Sequence, residues 1–218
     1  MLTLSIALAA AAALYLAIEW RNVREPSLLF WSAGFSTIAV GSTLVLLRMA
    51  RLAARDPLTA LYNRRALEVR APRLLEEVCS ARPGALLLID IDNFKLVNDL
   101  HGHIAGDRLL VMLSEMIRAL LPGGALAARL GGDEFVILLG DVTDERVVAL
   151  GSALREQFHR AAAQAFATPE AVTLSIGASL FDRPPASLAA LIEQGDAALY
   201  ESKRGGRDSI RLVAGGEA

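Results

Sequence analysis

Two long apolar runs open the chain. Leu2–Ile18 and Leu28–Leu47 carry no charged residue, and a polar stretch, Glu19–Ser27 with Arg21 and Arg24, separates them. As helices rising 1.5 Å per residue they reach roughly 25 Å and roughly 30 Å, against a bilayer core of about 30 Å. Phe30 and Trp31, and Tyr15 and Trp20, stand where interfacial anchors are expected. A cleaved leader is the rival reading of the first run, weakened because no Lys or Arg precedes it. The pattern predicts a two-span membrane hairpin over 1–48, with spans at 2–18 and 28–47. Arg48, Arg51 and Arg55 outweigh the two loop arginines, which favours both termini in the cytoplasm.

After a short linker, 49–55, the period changes. Asp56 followed by Pro57 reads as an N-cap with proline in the first helical position, and Leu58, Leu61, Tyr62 and Leu67 give helical spacing. Pro72 should kink or break that helix. Ala85–Ile91 is a continuous apolar run of strand length, expected to be central and covered on both faces. A polar loop is expected next, then an amphipathic helix over Gly106–Leu120.

Ala125–Leu130 and Phe135–Leu139 form two strand-like runs joined by Gly131, Gly132, Asp133 and Glu134, the pattern of a hairpin. A helix over 144–163, a strand over 171–180, a serine-capped helix over 187–203 and an edge strand over 209–213 complete the chain, with 214–218 as a frayed tail. An α+β domain over 56–213 follows, with a mixed, mostly antiparallel central sheet flanked by helices.

Composition narrows the chemistry. A net charge of −2 over 218 residues gives no electrostatic case for a nucleic-acid partner. The single cysteine, Cys79, excludes an internal disulfide and any cysteine-cluster zinc site, and His101, His103 and His159 lack zinc-ligand spacing. No P-loop sequence and no G-x-S-x-G occurs.

The carboxylates remain. Asp90 and Asp92 end the buried strand, and Asp133 and Glu134 occupy the hairpin turn. Each has an ordinary reading, as a turn-starting strand end and a solvated hairpin tip. Brought together at one sheet edge they would repel unless a cation neutralised them, and hard oxygen donors suit Mg²⁺ with substrate phosphates. Phosphoryl or nucleotidyl transfer is the chemistry such a site serves. Lys95 and the run Lys203–Arg207 offer positive charge for phosphates, though Lys, Arg and Gly also commonly end a helix.

The run Gly131–Phe135, GGDEF, resembles the signature of the GGDEF domain of diguanylate cyclases, a polymerase-palm-like nucleotidyl cyclase fold. Blocks beginning at Asp56, Ile89, Thr173 and Gly195 stand in the same family order and extend the likeness over nearly all of 55–212. The resemblance implies Asp90, Asp133, Glu134 and the Ile91 carbonyl as ligands for Mg²⁺, with Mn²⁺ as substitute. It implies Asn98 and Asp107 as guanine readers in a pocket bordered by Phe94 and His103, with Gly131 and Gly132 letting the turn approach GTP. Lys203 and Arg207 would contact the triphosphate, Lys95 would steady charge in the transition state, and Asp133 or Glu134 would take the proton of the attacking hydroxyl. A carboxylate and an amide match the guanine edge, and adenine would leave them unpaired.

The implied reaction makes cyclic di-GMP from two GTP, each held by one protomer of a homodimer, at the inner membrane with the catalytic domain in the cytoplasm. The alternative is an inactive nucleotide-binding receptor or scaffold. Family members often carry an R-x-x-D product-inhibition site before the motif. Pro122 and Ala125 stand there instead. Ala60 replaces a common glycine of the first block, and Ser202 and Asp208 replace an alanine and an asparagine of the last.

Overall fold

The computed structural model describes residues 37–45, 49, 54–166 and 172–214, and the chain divides into two units, Met1–Ala53 and Ala54–Ala218. In the first unit 37–45 is helical, and the Ser42 and Thr43 hydroxyls donate to the carbonyls of Ile38 and Ala39. The expected span at 2–18 lies outside the described residues, and that at 28–47 lies partly outside them. Among the described residues no helix is long and apolar enough to cross a membrane.

The second unit is built on six strands, β1 (Tyr62–Asn63), β2 (Gly84–Ile91), β3 (Leu126–Gly131), β4 (Glu134–Gly140), β5 (Leu174–Phe181) and β6 (Ile210–Ala214). Their order is β1-β3-β4-β2-β5-β6. β2 pairs antiparallel with β4 and β5, β3 antiparallel with β4, while β1 and β6 join in parallel at the edges. The helices are α1 (Arg64–Glu76), α2 (Phe94–His101), α3 (His103–Leu120), α4 (Asp144–Ala165) and α5 (Leu188–Arg204).

β2 is buried along its whole length because both its faces are covered, which is why its sequence is continuously apolar. Leu87, Ile89 and Ile91 join the core made with α3 and α4, while Leu86 and Leu88 join the one made with α1 and α5. Each such leucine or isoleucine contributes roughly 1.5–3 kcal/mol by leaving water. Asp90 continues the second face by the two-residue period, so it emerges on the side of α5. α5 lies close on β5: a Cβ at Gly177 would collide with the backbone of Gly195 and Leu199.

Three local expectations are corrected. Asp56 caps no helix: its carboxylate accepts from the Thr59 amide (2.8 Å) and hydroxyl (2.7 Å), closing a turn. The helix starts later, where Asn63 accepts from the Ala66 amide at 2.9 Å. Pro72 does not break α1. Pro72 and Glu68, whose carbonyl loses its partner, are both exposed, so water serves that acceptor. The loop expected after β2 is instead α2, separated from α3 by Gly102 at φ 81°.

Ala60 sits at φ 57°, a left-handed conformation that suits the glycine it replaces. Ala60→Gly should therefore stabilise the domain by about 1 kcal/mol, read as a raised Tm. An unchanged or lowered Tm would show that the turn carries no such strain.

Candidate active site

The β3–β4 turn turns on Gly131 (φ 152°) and Gly132 (φ 53°) and sets Glu134 opposite Asp90 in the β2–β4 register. The turn is fastened from behind. Arg129 donates to the Gly132 carbonyl from Nε (2.9 Å) and Nη2 (2.8 Å), and from Nη1 to the Asp56 carboxylate at 3.2 Å. Burial opposes the Asp56 charge, but the two Thr59 hydrogen bonds and the Arg129 guanidinium together hold its carboxyl below the usual range. One arginine thus ties the beginning of the domain to the turn that carries Asp133.

Asp90 is buried, and Lys203 at the end of α5 reaches it, Nζ to Oδ2 at 2.7 Å. Burial is the largest influence on its carboxyl and, against the opposing Lys203, pushes it up to about 6, with Asp133 and then Asp92 adding repulsion. Asp133 is half-buried and Glu134 exposed. Lys203, expected on phosphate, is here the partner of a carboxylate expected on metal. Among the described residues no three His, Cys, Asp or Glu side chains form a metal cage. The donor set here, Asp90, Asp133, Glu134 and the Ile91 carbonyl, fits a hard divalent cation that draws its other ligands from phosphate and water.

The expected base-reading residues lie on α2 and α3. Asn98 is half-buried, while Lys95, His103 and Asp107 are exposed. Gly106, beside Asp107, is where the two helices meet: a Cβ there would collide with Asn98 Oδ1 and approach the Phe94 ring at 3.2 Å. Gly106 makes room for the Asn98 amide against α3, a role that periodicity alone does not reveal.

Asp92 is the other residue missing from the expected set. Its carboxylate is fully buried and accepts from Thr173 Oγ1 (2.7 Å), Ser175 Oγ (2.8 Å) and the Asp208 amide (3.2 Å), with Arg207 Nε at 3.8 Å. It holds the loop after α5 against the end of the sheet. The threonine and serine around the start of β5, Thr173 and Ser175, were the available signal.

A mixed sheet here gathers carboxylates from a central strand and a neighbouring hairpin, with a cationic helix end beside them. Residues 53–209 match the family described as "Diguanylate cyclase, GGDEF domain", and the chain belongs to that family. The chain is similar to the probable diguanylate cyclase DgcT of Escherichia coli, 36% identical over 163 residues, which are 73% of this chain and 35% of that protein. It is similar to a diguanylate cyclase of Vibrio cholerae, 34% identical over 168 residues, covering 74% and 50% respectively. The chain thus spans half or less of these curated relatives.

Among solved structures, the coiled coil and GGDEF domain of DgcB from Caulobacter crescentus, in complex with c-di-GMP, superposes with a TM-score of 0.74 at 28% identity, over 86% of this chain and 100% of that one. The active GGEEF domain of a diguanylate cyclase from Vibrio cholerae gives 0.58 at 32%, over 69% and 96%.

The raised Asp90 carboxyl sets a pH dependence. Between pH 3.8 and about 6 the folded protein binds the Asp90 proton more firmly than the unfolded chain does, so this group's contribution falls as pH rises through that window. Asp90→Asn should raise Tm relative to the parent above pH 6, and the difference should close below pH 4. A Tm difference that does not vary with pH would mean that Asp90 carries no such penalty.

Proposed function

We propose that this chain is a diguanylate cyclase that condenses two GTP into cyclic di-GMP with release of two pyrophosphates. The observation that carries the reading is the meeting of Asp90, Asp133, Glu134 and Lys203 at one end of the sheet, inside the family match. The relatives' names support the same chemistry.

In this reading Asn98 and Asp107 hold the guanine edge, the amide donating to O6 and the carboxylate accepting from N1–H and N2–H₂. Gly131 and Gly132 bring turn backbone beside the phosphates without a side chain between. Lys203 and Arg207 hold the triphosphate, Lys95 balances charge that develops there, and a carboxylate of the turn, Asp133 or Glu134, takes the proton from the ribose 3′-OH. Asp90, Asp133, Glu134 and the Ile91 carbonyl would hold Mg²⁺, or Mn²⁺ in its place, which supplies charge neutralisation on the α-phosphate and the leaving pyrophosphate.

The 3′-OH of one GTP attacks the α-phosphorus of the other, so each domain brings one GTP and turnover needs a homodimer. The membrane spans proposed at 2–18 and 28–47 would place the domain on the cytoplasmic side of a bacterial inner membrane and raise the effective concentration of its partner.

Full-length protein in detergent, given GTP and Mg²⁺, should form cyclic di-GMP, and Asp133→Ala should reduce the rate by at least about 100-fold; ATP should yield no corresponding product. GTP binding without turnover in the dimeric parent would instead favour a receptor. Pro122 and Ala125 lie in a tight turn closed by the Ala125 amide on the Pro122 carbonyl at 3.3 Å, and neither offers charge to a phosphodiester. Adding cyclic di-GMP should therefore leave the maximal rate unchanged, and strong non-competitive inhibition would refute this.

A further inference from the structure

The loop that follows α5 is strained where its function is concentrated. After Gly206 (φ 113°), Arg207 and Asp208 both take positive φ, 64° and 42°. A non-glycine residue in that region costs about 1–2 kcal/mol and persists only where its surroundings enforce it. Three attachments enforce it here. The Arg207 amide donates to the Ser202 carbonyl (3.2 Å) and the Asp208 amide to buried Asp92 (3.2 Å). The third comes from the other face of the sheet: Arg155 on α4 donates to Asp208 Oδ1 from Nε (3.1 Å) and pairs with the same oxygen through Nη2 (2.9 Å).

α4 is well placed to act as an anchor. Leu154, the neighbour of Arg155, is fully buried in the core shared with β2 and β5, and a Cβ at Gly151 would collide with Ile210 of β6. Arg155 is half-buried and Asp208 exposed, with side-chain exposures of 21% and 46%. The Asp208 carboxylate is thus gripped from a rigid helix while its own amide is held by Asp92, and Arg207 is the residue just before it.

We propose that Arg155 and Asp208 form a positioning pair that fixes the Arg207 guanidinium for the triphosphate of the nucleotide. The inference rests on the reading of Arg207 as a triphosphate contact. It assigns a role in substrate binding to a helix on the far side of the sheet, and it gives the aspartate at 208 a function that depends on its charge. Neither residue touches the reacting atoms; both act through Arg207.

Titration calorimetry on the full-length protein with Mg²⁺ tests the pair, using GTP and GMP as probes. Arg155→Ala and Asp208→Asn should each weaken GTP by roughly fivefold and leave GMP unchanged, because GMP lacks the phosphates that Arg207 reaches. The double variant should bind GTP no more weakly than either single one, and Arg155→Lys should recover part of the loss. In turnover the loss should appear in KM rather than kcat. GTP affinity equal to the parent's, an equal loss for GMP, or additive losses in the double variant would overturn the pair. If Arg155→Ala fails to fold, Asp208→Asn and Arg155→Lys carry the comparison. Failure of the parent itself to bind GTP would sink the cyclase reading and this inference with it.

Discussion

A buried carboxylate at the end of the central strand is the constraint on which the rest of the site depends. Asp90 leaves water because the strand that carries it is covered on both faces. Its charge is then costly, and Asp133 and Asp92 make it more so. Lys203 meets part of that cost with an ion pair at 2.7 Å, which requires the end of α5 to lie over the end of β2. The two glycines Gly177 and Gly195 permit this, because they let α5 settle against the sheet at backbone distance.

The same logic extends outward in layers. Asp92, two residues on, is satisfied by Thr173, Ser175 and the Asp208 amide, so the cationic loop is tied to the sheet by the neighbour of the residue it faces. Arg129 does for the β3–β4 turn what Asp92 does for the loop, holding Gly132 from behind and joining it to Asp56. The start of the domain and the turn that carries Asp133 are thereby joined through one guanidinium.

Long periodic elements were legible in the sequence: the β2 run, the amphipathic α3, the hairpin and the serine-capped α5 all stand where spacing put them. The errors fall at ends and short elements. Asp56–Pro57 looks like a helix cap, yet Thr59 closes a turn on that carboxylate, and Arg129, distant in sequence, adds a tertiary hold. α2 was missed because it is only eight residues long, too short for its helical period to stand out in the sequence. Pro72 misled because a lost helix hydrogen bond matters little where water replaces it.

The sequence by itself determined the sheet's central strand, the turn with its two glycines, and the family to which the GGDEF run and its companion blocks belong. These are local properties: side-chain period, turn chemistry and motif order. The tertiary structure decided which charges meet. That Lys203 rests on Asp90, that Asp92 anchors Asp208, that Gly106 makes room for Asn98 and that Arg155 reaches across from α4 are contacts between residues far apart in the chain. No local pattern encodes them, because a charged residue's partner is set by where the packed elements bring it.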